Sequence, residues 1–337
     1  MAYAMMNISL NRTLANTTQF SHVPNYPLAV VLSLIQLFGI SGNTMVIYSI
    51  VKHRDLLKRN YYYLILHLAI CDLMVLVFAA RTTWFAWSPN SFFTFWLFSN
   101  AICYIWSLNM TLFLWTGWSF IIVIAIFRYR AVLYPFKPAV SRSKLRVIVG
   151  AVYICVTICA VAGSFVTIAE KCLSEWPISV PDVLHIISYS VQWLIPVAVL
   201  SILYYKICRE LKKQSKNMDS INATCASSGG DTAGTQTHLQ KIKHRRNTRT
   251  VITSITIVVC FAVTSLPITM AASFYSIGAK VNDYNYAWPA VVQIFGVCAV
   301  NPYIYGVSDT TLRLVYKQKW NKVKAFFTPC SRQAPPQ

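Results

Sequence analysis

Polar side chains interrupt long apolar stretches of this 337-residue chain, and they are the first candidates for chemistry. Asn43, Asp72 and Asn301 can form hydrogen bonds, and Arg128 can bind a carboxylate or another anion. No His-Glu-x-x-His, Gly-x-Ser-x-Gly or phosphate-loop motif accompanies them, and Asp72 is the sole carboxylate deep in an apolar stretch. Because catalysis needs more groups than these, the sequence does not indicate an enzyme.

Seven apolar stretches must position these side chains, and each is long enough to cross a membrane as a helix. A tilted helix needs about 20 apolar residues to span about 30 Å of hydrocarbon. With 56% hydrophobic and 12% charged residues, the chain falls in the membrane class. We therefore predict an all-α bundle of seven transmembrane helices over 28–51, 61–84, 100–127, 145–168, 183–206, 248–277 and 286–306.

Basic residues lie almost entirely on one side of the alternation that seven crossings create. Of the 30 lysines and arginines, all but Arg12, Arg81, Lys171 and Lys280 lie on the side that includes the C-terminal tail. Because basic loops stay in the cytoplasm, we expect a multi-pass plasma-membrane protein with its N-terminus extracellular and its C-terminus cytoplasmic. These cations flank helix ends, where anionic membrane lipids attract them, so nucleic acid is not an expected partner.

The predicted extracellular tail, residues 1–27, carries three glycosylation sequons, at Asn7, Asn11 and Asn16. Topology assigns most of the ten cysteines to helices or to the reducing cytoplasm. Only Cys103 and Cys172 lie on the oxidising side, so we predict a disulfide between them.

Three features mark the cytoplasmic side. Residues 209–245 connect the fifth and sixth helices and include a Ser/Thr/Gly-rich stretch without apolar periodicity, which predicts a mobile loop. The final segment, 307–337, contains apolar residues at helical spacing with basic residues between them, over 310–327. This pattern predicts an amphipathic helix on the inner membrane face. Cys330, just beyond it, is a candidate acylation site.

The polar and helix-breaking residues form a spaced set of motifs along the whole chain. They are Gly42-Asn43, Leu68-Ala69-Ile70-Cys71-Asp72, Arg128-Tyr129, Pro196, Pro267 and Asn301-Pro302-Tyr303-Ile304-Tyr305. Cys103 precedes Arg128 by 25 residues, Tyr204 follows Pro196 by eight, and Phe261 precedes Pro267 by six. Together they resemble the rhodopsin-like (class A) G-protein-coupled receptors, most of all the neuropeptide receptors.

This resemblance implies a receptor that binds an extracellular ligand and activates heterotrimeric G proteins by opening its cytoplasmic face. Arrestin and receptor kinases are further partners that it implies. It assigns Asn43 and Asp72 to a polar core, although such a network would also stabilise any helix bundle. It assigns the coupling and activation switch to Arg128, Tyr129, Tyr204, Tyr305, Asn301, Pro302, Phe261, Pro267, Pro196 and Trp118.

The chain departs from the family pattern at several of its switch positions. Phe127 stands where the family has an acid beside the arginine, so we expect elevated basal signalling. Ser265 replaces a helix-six tryptophan, and we expect Trp118 to refill that volume and contact Phe261, the alternative being that it faces lipid or another helix. Gly117 replaces the serine that would help Asp72 hold sodium, so the resemblance does not carry a sodium site over to this chain.

The expected ligand is a neuropeptide, with a lipid or a small acid as the alternative. Met110 stands where amine-binding relatives carry an aspartate, which argues against a biogenic amine. Arg81 could anchor a ligand carboxylate or reach the lipid headgroups. A receptor-like membrane protein that no longer signals is a second alternative for the function of the whole chain. Candidate ligand contacts line the outer half: Arg81, Trp84, Trp106, Asn109, Met110, Thr111, His185, Gln192, Phe274, Tyr275, Trp288 and Gln293.

Overall fold

A computed structural model shows a bundle of long helices and describes residues 24–88, 100–134, 136–172, 179–226, 231–276 and 283–327. A single helical turn, Arg54–Leu57, joins the first two helices. The seventh helix, α7, contains a π-helical turn, Phe295–Ala299, between its segments Asp283–Ile294 and Asn301–Ser308. The others are α1 (Tyr26–Lys52), α2 (Asn60–Trp87), α3 (Asn100–Leu133), α4 (Arg142–Cys172), α5 (Ser179–Ala226), α6 (Asp231–Ser276) and α8 (Thr310–Phe327).

All seven predicted stretches are helical, so the predicted fold class is confirmed. In the described ranges six helices, α1 to α4, α6 and α7, are long and apolar enough to cross a membrane. Helix α5 packs against α3 and α6 and completes the bundle. The predicted amphipathic segment is also helical, as α8.

Small residues let α1 and α7 approach closely. A Cβ added at Gly39 would lie 3.0 Å from the Cβ of Ala299, and one added at Gly42 would lie 3.0 Å from the Cβ of Pro302. Close backbone approach through small residues is the usual basis of helix association in lipid, where burial of apolar surface gives little net gain. The two glycines therefore fix the position of α7, which carries Asn301 and Tyr305.

The secondary structure of the connection between α5 and α6 differs from the predicted loop, while its mobility stays a prediction. Helix α5 continues to Ala226 and α6 begins at Asp231, so most of 209–245 is helical. The prediction gave too much weight to the Ser, Thr and Gly content. Beyond the membrane, α5 continues through Arg209 to Lys216, a run of good helix formers with no proline or glycine.

The corner between α7 and α8 is fixed by one carboxylate. Asp309 accepts hydrogen bonds from the backbone N–H groups of Thr311 and Leu312, at 2.9 and 3.0 Å, and so caps the start of α8. The hydroxyl of Tyr62 on α2 donates to the same carboxylate at 3.0 Å. Burial raises the pKa of Tyr316 on α8, so its phenol stays neutral while its ring packs against Gly306. These contacts hold α8 beside the N-terminal end of α2 and the C-terminal end of α7.

Candidate functional site

The buried polar residues of the middle of the bundle meet on α7. The amide of Asn301 donates to Asp72 Oδ2 at 2.9 Å and to the carbonyl of Val297 at 2.6 Å. Asn43 donates to the carbonyl of Cys298 at 2.9 Å instead of bonding to Asp72. The structure thus brings the two predicted polar-core residues, Asn43 and Asp72, to one site with Asn301 of the predicted switch, on α7.

The surroundings of Asp72 fit a sodium ion poorly. Hard cations prefer several oxygen ligands. Gly117 faces the carboxylate without a side chain, and the sulfur-bearing Cys298 is its other neighbour in α7. We therefore assign no role in the mechanism to a sodium ion at this position.

A hydroxyl oxygen introduced at residue 117, beside Asp72, should make the unfolding temperature of the protein depend on sodium. A Cβ added at Gly117 would lie 3.7 Å from Asp72 Oδ1 and 3.6 Å from Leu68, which are ordinary contact distances, so Gly117→Ser should fit. We expect sodium to raise the unfolding temperature of Gly117→Ser above that in choline at equal ionic strength, and to leave the wild type unchanged. The gain is about 0.4 kcal/mol at a sodium concentration equal to Kd. Gly150→Ser, which lies in open space on α4, is the control, and an equal response there would contradict the prediction.

Arg128, near the C-terminal end of α3, packs against an aromatic ring. Its guanidinium carbon lies 3.8 Å from the ring centroid of Tyr61 on α2. Its Nε and the Tyr61 hydroxyl are buried, and neither has a hydrogen-bond partner among the described residues. Phe127 and Tyr61 both pack against the edge of one cluster of buried apolar side chains. The arginine therefore has a partner that the sequence did not predict.

Two further residues of the predicted switch, Tyr204 and Tyr305, lie in the same region. Both side chains are buried, and both line a small cavity together with Tyr61. Tyr204 interacts with Ser254 of α6, which also lines this cavity. Side chains from α2, α3, α5, α6 and α7 pack around this cavity and leave only a water-sized space between them.

Trp118 lies inside the bundle rather than against lipid. Its side chain is 9% exposed, and its ring meets that of Phe261 on α6 edge-on, with centroids 5.2 Å apart. Ser265, one turn outward on α6, is fully buried. The expected contact with Phe261 is present, while the coupling of Trp118 to Ser265 stays a prediction.

The helix-breaking prolines lie within their helices as expected. Pro196 lies inside α5 and Pro267 lies inside α6, and both helices continue past the proline. The indole of Trp193 donates to the carbonyl of Ala262 at 3.4 Å and so joins these two helices between the prolines. Pro302 is the second residue of the last segment of α7, which follows the π-helical turn after Val300.

Tyr129, beside Arg128, is a half-buried residue that does not line the cavity. Its ring meets that of Tyr134 edge-on, at 6.4 Å.

The outer half places the candidate ligand contacts in different environments. Arg81 is only 6% exposed, which does not fit a side chain that extends to the lipid headgroups. Gln293 is buried as well, and the amide of Asn109 donates to the carbonyl of Ile105 in its own helix. Trp84 and Phe274 are 43% and 50% exposed. Met110, Thr111 and Trp288 are half-buried.

Several predicted positions lie outside what the structure describes. The glycosylation sites Asn7, Asn11 and Asn16 and the candidate acylation site Cys330 precede or follow the described ranges. Side chains are likewise not described at Cys103, Trp106, Cys172, His185, Gln192 and Tyr275. The Cys103–Cys172 disulfide therefore stays a prediction.

Tyr61 is the site residue that sequence reasoning missed. It lies 11 residues before Asp72, about three helical turns, and so on the same face of α2. A tyrosine on the inward face at the level of Arg128 was a usable signal. It was overlooked because the expected partner was a carboxylate.

Comparison with known proteins agrees with this geometry. A family model described as 7 transmembrane receptor (rhodopsin family) matches residues 42–305. The Bos taurus substance-K receptor is 25% identical over 279 residues, which cover 78% of this chain and 67% of that receptor. The Mus musculus neuropeptide FF receptor 2 is 22% identical over 347 residues, covering 94% and 77%. The crystal structure of squid rhodopsin matches with a TM-score of 0.74 at 18% identity, covering 90% of this chain and 88% of that one, which shows a shared fold.

Proposed function

Because the chain belongs to the rhodopsin family of seven-transmembrane receptors, we propose that it binds an extracellular ligand and activates heterotrimeric G proteins when its cytoplasmic face opens. Its N-terminus is extracellular and its C-terminus cytoplasmic in this proposal, in keeping with the distribution of basic residues. Arrestin and receptor kinases act on the same cytoplasmic face, and Cys330 provides a lipid anchor beyond α8.

One observation carries the proposal. Tyr204 of α5 and Tyr305 of α7 line one small cavity together with Tyr61 of α2, and Arg128 of α3 lies over the Tyr61 ring. Partial burial of an arginine at this position costs free energy, so its presence there indicates a function. We propose that this function is an exchange of partners. Separation of α6 from α3 would expose these groups to a G protein. The Asp72–Asn301 hydrogen bond would rearrange at the same time, because it joins α2 to the segment of α7 that carries Tyr305.

The test is nucleotide exchange on purified G proteins by the full-length chain in lipid nanodiscs. Cells that express the chain are first screened with a library of secreted peptides and with lipids and small acids, using a second-messenger readout. We expect a peptide to stimulate exchange, and Arg128→Ala to abolish exchange while ligand binding persists. Ligand binding without exchange on any G-protein class would favour a receptor-like protein that does not signal.

A neuropeptide is the proposed ligand class. The similarity to neuropeptide FF receptor 2 over 94% of this chain supports it. Met110 on α3 offers no carboxylate for an amine. Arg81 is a candidate contact for a ligand with an acid group, which could be a peptide carboxylate, a lipid or a small acid.

Peptides that differ only in a free or amidated C-terminus would test the role of Arg81. If the arginine binds the carboxylate, the wild type prefers the free acid, and Arg81→Gln loses that preference by about 10- to 100-fold in affinity. Arg81→Lys, which keeps the charge, should retain part of it. An unchanged preference in Arg81→Gln would assign the arginine to structure alone.

A further inference from the structure

Arg128 faces an aromatic ring in place of a carboxylate. The distance of 3.8 Å from its guanidinium carbon to the Tyr61 centroid is well inside the range of about 6 Å for cation–π attraction. This attraction grows when the pair is removed from water, and the Nε of Arg128 and the Tyr61 hydroxyl are both buried. Residue 127, which would carry the acid, is phenylalanine.

The position of Tyr61 connects this contact to opening. Its side chain lines the small cavity together with Tyr204, Tyr305 and Ile257. Tyr61 therefore lies where α6 must move away from the other helices when the cytoplasmic face opens. Arg128 cannot move into that space without leaving the ring. A contact that exists only in the closed arrangement lowers the free energy of that arrangement alone and shifts the population toward it.

We propose that Tyr61 is the closed-state partner of Arg128, a positioning residue that holds the guanidinium against α2 and releases it when the cytoplasmic face opens. The role in signalling rests on the proposed G-protein function. The contact also revises the expectation of elevated basal signalling, because the ring supplies a hold in the place of the missing acid. The contact between Arg128 and Tyr61 contains no titratable carboxylate.

The test compares variants of the full-length chain in nanodiscs by two readouts. One is ligand-free nucleotide exchange on purified G protein. The other needs no G protein and measures how fast a water-soluble thiol reagent labels an introduced Ile257→Cys, which lines the cavity. Labelling of the native cysteines is subtracted with the parent that lacks this substitution.

The size of the ring's contribution sets the expected result. Tyr61→Phe keeps the aromatic face and should stay within about two-fold of the wild type. Tyr61→Leu removes it and should raise ligand-free exchange and labelling by about 2- to 30-fold, the range of a cation–π contact at a partly buried site. Phe127→Asp in the Tyr61→Leu background supplies a carboxylate and should lower both again.

A matched control lies two residues away. Tyr63 on α2 also receives an arginine, Arg142, at 4.7 Å from its centroid, but it does not line the cavity. Tyr63→Leu should leave both readouts unchanged.

A series of fluorinated phenylalanines at position 61 separates charge attraction from packing. Fluorine keeps the shape of the ring and weakens its negative face, so labelling should rise stepwise with fluorine number. Equal behaviour of Tyr61→Leu and Tyr61→Phe, or equal opening in Tyr63→Leu, would overturn the inference. A ring-dependent labelling series without nucleotide exchange on any G protein would support the inference and contradict the proposed function.

Discussion

Receptor carrying Gly296→Ala is expected to reach the cell surface at a small fraction of the wild-type level. Gly296 lies in the π-helical turn of α7, directly against α6. A Cβ added there would lie 2.2, 2.4 and 2.5 Å from three side-chain atoms of Thr264. The two helices must separate to accept it, and overpacking of this kind costs about 1–3 kcal/mol or more.

The direction of this effect is informative because Gly→Ala normally stabilises a helix by about 0.5–1 kcal/mol. Gly150→Ala on α4, where nothing lies within 4 Å, should show that ordinary gain. Thr264→Gly removes the opposing side chain and should restore much of the surface expression and unfolding temperature of Gly296→Ala. Equal folding of Gly296→Ala and Gly150→Ala would contradict the close approach of α6 and α7 at Gly296.

Replacing Trp118 by isoleucine should destabilise the protein by about 2–4 kcal/mol, because the ring is buried against Phe261 and its loss leaves a cavity. Ser265→Trp should be destabilising alone, because Ser265 is fully buried in an already packed region. Because Trp118 contacts Phe261, one turn from Ser265 on α6, we expect the new tryptophan of the double variant to enter the vacated volume. We therefore expect a favourable coupling energy of about 1–3 kcal/mol.

A double-mutant cycle on the thermal unfolding of purified receptor measures this coupling. Trp84→Ile on α2 is the matched control, because Trp84 is 43% exposed and should combine additively with Ser265→Trp. A coupling energy of zero between Trp118→Ile and Ser265→Trp would show that the two positions do not share a volume. Ligand-stimulated nucleotide exchange in the same variants would show whether this volume also serves activation.

Sequence reasoning predicted the helices well because lipid imposes a simple rule on their length and composition. It also identified Asp72, Asn43 and Asn301, since polar groups in hydrocarbon need partners and so gather inside the bundle. It did not predict that Asn43 would bond to the backbone carbonyl of Cys298. Such a choice depends on the exact approach of α1 to α7, which no sequence pattern states.

The errors have physical reasons as well. The composition of 209–245 suggested an irregular segment, but a long helix that leaves the membrane continues until a residue stops it. The Tyr61–Arg128 contact was missed because charge was matched only with opposite charge, whereas a ring face also attracts a cation. The close approach at Gly296 depends on a π-helical turn that no local residue pattern predicts.

The length of α6 has a mechanical consequence. Helix α6 runs from Asp231 to Ser276, and Pro267 divides it unequally. The 36 residues from Asp231 to Leu266 measure about 54 Å, at 1.5 Å per residue. A bend of about 10° at the proline would therefore carry the far tip through about 9 Å, yet displace atoms one turn from the proline by only about 1 Å. A small change of angle at Pro267 would thus become a large displacement at the Asp231 end of α6, the end that receives the G protein in the proposed function.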